Sequence, residues 1–254
     1  MRSRVLVMTK TETIAERMAH AARELQDQYD PNSTVKSAVE ILVRNVPGCH
    51  AASVSLVYGP RRKRRVETPA ASQELAAAND QLQQQLSEGP CLDAIFDEET
   101  VYAPDLPNDG RWPKWGPQAC ETTGVRSVLT YRLFTLKDVL GALSMYSKEV
   151  DAFDAEAKAE GMALAAHIAI AVAAALKIDQ FEEALDSRTA ISQAVGVLME
   201  RFAIKPDQAF ALLTRISSTE NRKLRDIAVE LVRTRSVGDS IDLGEAQGWK
   251  DSQG

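Results

Sequence analysis

The sequence predicts an α+β domain, an antiparallel sheet with flanking helices, followed by a small all-α bundle of three helices. Two observations carry this. Between Ala51 and Ser147, short runs alternate in strand fashion, and apolar stripes at helical spacing flank them. From Ala184 to Val232, three one-sided stripes follow one another: Ile191/Ala194/Val195/Leu198/Phe202, Ala209/Phe210/Leu213/Ile216 and Leu224/Ile227/Ala228/Leu231/Val232. Single helices of this length are marginal in water, so the three are expected to close around a shared core.

In chain order, residues 1–12 read as a flexible N-terminus. Thr13 to Gln28 reads as a helix with Ile14, Met18, Ala21, Ala22 and Leu25 on one side, ended by Tyr29 to Ser33. Ser33 or Thr34 can cap the next helix, striped by Val35, Val39, Leu42, Val43 and Val46 and closed by Pro47-Gly48. Ala52 to Val57 is β-rich, Gly59-Pro60 is a turn, and a return strand near Val66 makes a hairpin. The basic run Arg61 to Arg65 between them fits a nucleic-acid arm or a solvated hairpin tip whose cations discourage edge pairing. Strand alternation favours the second, because it sends these side chains to both faces.

Gln73 to Leu86 is a polar helix, and Glu88-Gly89-Pro90-Cys91 starts a short one running through Ile95. Val101 to Ala103 reads as a strand, and Pro104 through Trp112-Pro113 as a long connection with an aromatic centre. Ser127 to Phe134 and Val139 to Ser147 are two strands around a Lys137-Asp138 turn. A long helix follows from about Asp154 to Phe181. Its Leu164, Ile168, Ala171, Ala175 and Ile178 repeat like a coiled-coil seam, although part of that face must cover the sheet. Without Pro or Gly after Ile178, this helix can continue into Leu185 as a stiff connection. Pro206 opens the second bundle helix, and Ser217-Ser218-Thr219-Glu220 reads as a capping box for the third. Domain limits are expected at residues 13–180 and 181–235, with 236–254 a polar, disordered tail.

The 254 residues carry a formal net charge of −6, so affinity for nucleic acid must come from a local patch. Cys49, Cys91 and Cys120 lack CxxC spacing, which fits a reducing cytoplasm better than a disulfide framework or a zinc site. The start of the chain lacks a signal-like apolar region, and no segment is expected to span a bilayer. His20, His50 and His167 lie in separate elements without metal-ligand spacing. Phosphate loops, nucleophile elbows and HExxH are absent, so no catalytic residue and no metal are assigned. Cys91, at a helix start, admits a redox reading through a lowered pKa and a plain one as a small buried residue.

Arg188, Ile191, Gln193-Ala194, Gly196, Leu198 to Arg201, Ala209-Phe210, Leu213, Ser217, Asn221, Leu224 and Ala228 resemble the ANTAR domain of bacterial antitermination regulators. That resemblance implies a three-helix module binding paired hairpins in nascent RNA. Val195 stands where the family usually has a basic residue, and Ser192 where it has glycine. Glu67 to Ala71, Asp80, Gln83, Glu88 to Cys91, Asp105-Leu106, Arg111 to Pro113, Gly124 to Ser127, Gly141 to Leu143 and Tyr146 resemble the GAF domain that precedes ANTAR in many actinobacterial proteins. GAF domains bind cyclic nucleotides, haem, bilins or small metabolites, or serve in dimerisation. The residue set associated with cyclic nucleotides is missing here, and no cofactor is assigned.

On the third bundle helix, Leu224, Ile227, Ala228 and Leu231 should point inward. Arg222, Arg225 and Arg233 then fall on the opposite side with Lys223 beside them, although Asp226 and Glu230 dilute the patch. Asn221 can cap or orient the start of that helix. On the first bundle helix, Gln193 and Gly196 face outward, with Arg188 and Arg201 as further cations. The RNA-binding candidates are thus Arg188, Gln193, Gly196, Arg201, Asn221, Arg222, Lys223 and Arg225. The ligand-pocket candidates are Cys91, Trp112 and Arg126. Read together, these features imply a cytoplasmic, dimeric, signal-responsive antitermination regulator acting on double-hairpin leader transcripts, with a small-molecule ligand for the GAF-like part and no membrane partner. The alternatives are an adaptor acting through protein contacts and a thiol oxidoreductase using Cys91 and Cys120.

Overall fold

The computed structural model describes residues 14–234 apart from 27, 29, 60–63 and 137. The expected flexible start and polar tail, Arg61 to Lys63 of the basic run, and Lys137 of the turn lie outside the described residues. The chain divides into two compact units, Met1–Ile178 and Asp179–Gly254.

The first unit is built on a five-stranded antiparallel sheet of order β2-β1-β5-β4-β3. The strands are β1 (Ala51–Tyr58), β2 (Arg65–Ala71), β3 (Thr100–Ala103), β4 (Ser127–Phe134) and β5 (Val139–Ser147). Helices α1 (Ile14–Gln26) and α2 (Pro31–Asn45) precede it, and α3 (Glu74–Leu86), α4 (Pro90–Phe96) and α5 (Trp115–Thr123) interrupt it. Strand alternation gives the sheet two unlike faces. Val54, Leu56, Leu129, Leu133, Leu143 and Met145 enter an apolar core with α2, and Ala21 and Leu25 of α1 join them. Ala51, Val128, Ala142 and Tyr146 face α3, α4 and α5 on the other side.

Local chemistry sets the element ends. The cap of α2 is Asp30 rather than Ser33 or Thr34: its carboxylate accepts the Asn32 and Ser33 amides at 2.9 and 3.0 Å, and Pro31 fills the first turn. α1 is held by ion pairs Arg17–Glu160 and Glu24–Arg44, the latter at 2.6 Å. The hairpin near Val66 forms with Val57 opposite Val66, which leaves β2 as an edge strand. Arg65 on that edge pairs with Glu67 at 2.5 Å. α5 escaped the sequence reading because Gly116 and Pro117 occupy its first turn, where their usual helix-breaking effect is smallest.

The last helix of this unit, α6 (Ala155–Phe202), also opens the second unit. Leu164, Ile168 and Val172 have no exposed surface and pack into the apolar core. This corrects the seam: most of the Leu164/Ile168/Ala171/Ala175/Ile178 repeat covers the sheet, because helix-on-sheet packing needs the same three-four spacing as a coiled coil. The apolar residues left outside are Met162, Ile170 and Ile178, 56%, 69% and 42% exposed. α6 is also long and apolar enough by length and composition to cross a membrane, contrary to expectation. Its alanine-rich sequence produces that, and the Leu164 side is spent on the core.

In the second unit, the later part of α6 packs with α7 (Pro206–Glu220) and α8 (Leu224–Thr234). Ala190, Ala194, Leu198, Ala209, Leu213, Ile216, Ile227, Ala228 and Leu231 form its core. Two expectations change. Phe210 lies outside this core at 47% exposure, because Ala209, Leu213 and Ile216 define the inward line one residue away from it. Ser217 to Glu220 close α7 instead of capping α8. Asn221 adopts the left-handed conformation (φ 52°, ψ 40°), and the amides of Asn221 and Arg222 return to the Ser217 carbonyl. Asn tolerates that backbone, and the returning bonds satisfy a terminal carbonyl.

Candidate functional site

In the first unit, a buried polar layer lies between the sheet and α3 and α4. Asp80 of α3 is 1% exposed. Its carboxyl accepts the hydroxyls of Ser55 and Thr68 at 3.1 Å each, Tyr146 at 2.5 Å and the Gln83 amide at 3.4 Å. Gln83 Nε2 also donates to the Tyr146 oxygen at 3.1 Å, and Gln83 Oε1 accepts the Cys91 amide at 2.8 Å. Gly89 makes room for that last contact. It has φ +137°, and a Cβ there would stand 2.3 Å from Gln83 Oε1. Burial raises the Asp80 pKa against the four hydroxyls that lower it, those of Tyr146, Ser53, Ser55 and Thr68. Ser53 Oγ is fully buried near this carboxyl, close enough to favour its charge but outside hydrogen-bond geometry with it.

Cys91 belongs to this layer and is 2% exposed. Burial, and then the Asp80 charge, push its thiol well above the ordinary range. The thiolate reading is therefore corrected: desolvation outweighs what the start of a seven-residue helix supplies. Cys120 is raised as well, chiefly by burial.

Trp112 is buried in the same apolar cluster as Cys91. Its indole donates to Asp93 at 2.8 Å, Trp115 meets it edge-on at 5.6 Å, and the Arg111 guanidinium lies 4.4 Å from its ring. Glu88 caps α5 by accepting the Lys114 and Trp115 amides at 2.9 and 3.2 Å; the Lys114 amide leads in lowering its pKa. Arg126 stands apart from Cys91 and Trp112. It is exposed at the entry to β4, bonded through its backbone to Ser147 and Leu106. Asp80, Gln83 and Tyr146 are thus the residues sequence reasoning left without a role. The polar alternation of Ser53 and Ser55 within an apolar run was their available signal.

In the second unit, Arg188, Gln193 and Gly196 are exposed on α6, and a Cβ at Gly196 would meet nothing within 4 Å. Arg201 is exposed near the end of α6, its guanidinium 5.8 Å from the Phe202 ring. Arg222 and Lys223 sit on the turn before α8, not on its outward face as expected, because Asn221 ends α7 and α8 begins at Leu224. Arg222 bridges Glu220 at 3.1 Å and Glu230 at 2.5 Å. Those contacts raise its pKa, and Arg222 lowers that of Glu230. Arg225 pairs with Glu183 of α6 at 2.9 Å. The turn therefore gathers Asn221, Arg222, Lys223 and Arg225, with carboxylates already on two of the three cations.

Family models match the chain twice, a GAF domain at residues 28–173 and an ANTAR domain at residues 179–232. No curated protein matches it. Among solved structures, the GAF domain of a phosphoenolpyruvate-protein phosphotransferase from Coxiella burnetii is 20% identical, with a TM-score of 0.52 over 65% of this chain and 95% of that one. The corresponding Acinetobacter domain is 14% identical, with a TM-score of 0.48 over 67% and 99%. Free methionine-R-sulfoxide reductase from Neisseria meningitidis is 16% identical, with a TM-score of 0.47 over 65% and 90%. At these identities the likeness is one of fold. The two matched domain types are sensory and RNA-binding regulatory modules. The chain belongs to the GAF domain family and carries an ANTAR domain, the RNA-binding module of antitermination regulators, directly after it.

Proposed function

We propose that the chain is a signal-responsive regulator of transcription antitermination in the cytoplasm, binding paired hairpins of a leader transcript through its second unit. The supporting observation is the turn after α7. The left-handed Asn221 and the bundle core beneath it hold Arg222, Lys223 and Arg225 together at one end of α8. Arginine forks suit phosphate and stack on unpaired bases. Arg188, Gln193, Gly196 and Arg201 supply a second set of contacts along α6. A small molecule is the signal for the first unit, and two copies associate through the outward side of α6 around Ile170, away from the Leu164/Ile168 line.

The test is RNA affinity across a salt series. Arg222, Lys223 and Arg225 changed together to Ala should bind double-hairpin RNA more weakly, with a shallower salt slope and an unchanged circular dichroism spectrum. Equal affinity and slope in a folded mutant would count against this face. A second reading, an adaptor acting through protein contacts, draws on Phe181 and Leu185, 70% and 63% exposed in the second unit. A chain that binds no RNA yet changes assembly state on removal of residues 182–235 would favour it.

A further inference from the structure

On α7, Ala209, Leu213 and Ile216 fill the core while Phe210 stays 47% exposed. What singles Phe210 out is its place on the same helix face as the turn that carries the cations. At about 100° per residue, Phe210, Thr214 and Ser218 form one outward row that reaches Asn221 about 16 Å further along, where Arg222 and Lys223 follow. Thr214 and Ser218 donate their hydroxyl hydrogens to the Phe210 and Thr214 carbonyls at 2.9 and 3.0 Å. Their oxygens remain as outward acceptors. The row thus presents an aromatic face, acceptor oxygens, a side-chain amide and, at its end, cations.

Unpaired RNA bases are recognised by such a set: a ring to stack on, polar groups for the base edges and positive charge for the phosphates. A second copy of the chain fits the row less well. The exposed ring offers about 100 Å² of apolar surface, whereas a stable interface takes about 800 Å² from each partner. Thr214 and Ser218 beside it are polar.

We infer that Phe210 stacks on an unpaired hairpin-loop base, so that the outward row of α7 and the Asn221–Lys223 turn read the loop together. The inference rests on the RNA-binding reading and adds to it a residue, Phe210, with a stacking role of its own. It also separates two tasks: the ring discriminates loops, and the cations hold the backbone.

The experiment uses the full chain and a probe of two linked RNA hairpins, with either unpaired loops or the loop nucleotides made abasic. Phe210→Ala and Phe210→Leu should each weaken binding to the unpaired-loop probe by about 5- to 150-fold. The salt slope should not change, because no phosphate contact is lost. Phe210→Trp should keep the affinity, and its emission should be quenched by the unpaired-loop probe but not by the abasic one. Circular dichroism checks that each variant is folded. If the parent binds the unpaired-loop probe and Phe210→Ala binds it equally well, the stacking role is overturned while the RNA reading stands. If the parent binds neither probe, the RNA reading fails, and the inference with it. If Phe210→Ala lowers the assembly state in sedimentation, the ring belongs to a protein contact and the inference is overturned.

Discussion

At the residue scale, Asp80 is the most unusual group in the first unit: a fully buried carboxyl whose described partners are all neutral. Its raised pKa has a definite sign for stability. The folded state holds the proton more tightly than the unfolded chain, so stability falls as pH rises from about 3.9, the ordinary Asp value, towards the raised one. Asp80→Asn removes that dependence. The variant should gain stability on the parent as pH rises from about 4 to 7, as urea unfolding at the two pH values would read. A gap that stays constant with pH would mean that Asp80 titrates normally. None of this was legible as chemistry in the sequence. Asp80, Gln83 and Tyr146 were visible as family residues, but periodicity does not report which hydroxyls meet under a sheet.

Whole elements were more legible. The strands and the three bundle stripes were readable because each has a solvated face, so its apolar period shows. The misses share a cause, signals that admit two structures. Ser217 to Glu220 can start a helix or finish one, and the left-handed Asn221 decides for the end of α7. A three-four repeat fits a sheet or a second helix, and the burial of Ile168 decides for the sheet. A paired substitution on α6 tests that decision. Ile168→Asp places an unpaired charge in the apolar core and should unfold the first unit, at a cost of several kcal/mol. Ile170→Asp, 69% exposed in the parent, should leave the circular dichroism intact and weaken self-association in sedimentation. A folded Ile168→Asp chain would contradict the packing described, and an Ile170→Asp chain that self-associates like the parent would remove α6's outer side from the proposed dimer.

On the scale of the whole molecule, an acidic chain has to approach a polyanion: the net charge is −6. The arrangement at the end of α7 bears on how. Glu220 and Glu230 occupy Arg222, and Glu183 occupies Arg225, whereas Lys223 carries no ion pair among the described residues. On the proposed RNA contact, binding at the two arginines is an exchange of one anion for another. The displaced carboxylates remain beside the RNA, so those arginines contribute less to counterion release than bare cations would. Lys223→Ala should therefore reduce the salt slope by about 0.7–0.9, and Arg222→Ala by visibly less, although both weaken binding. Equal changes in slope would show that the carboxylates play no part. If the transcript meets this face as proposed, Glu183, Glu220 and Glu230 stand in its absence as placeholders for phosphate on the guanidinium forks, and a salt titration would count fewer contacts than the RNA makes.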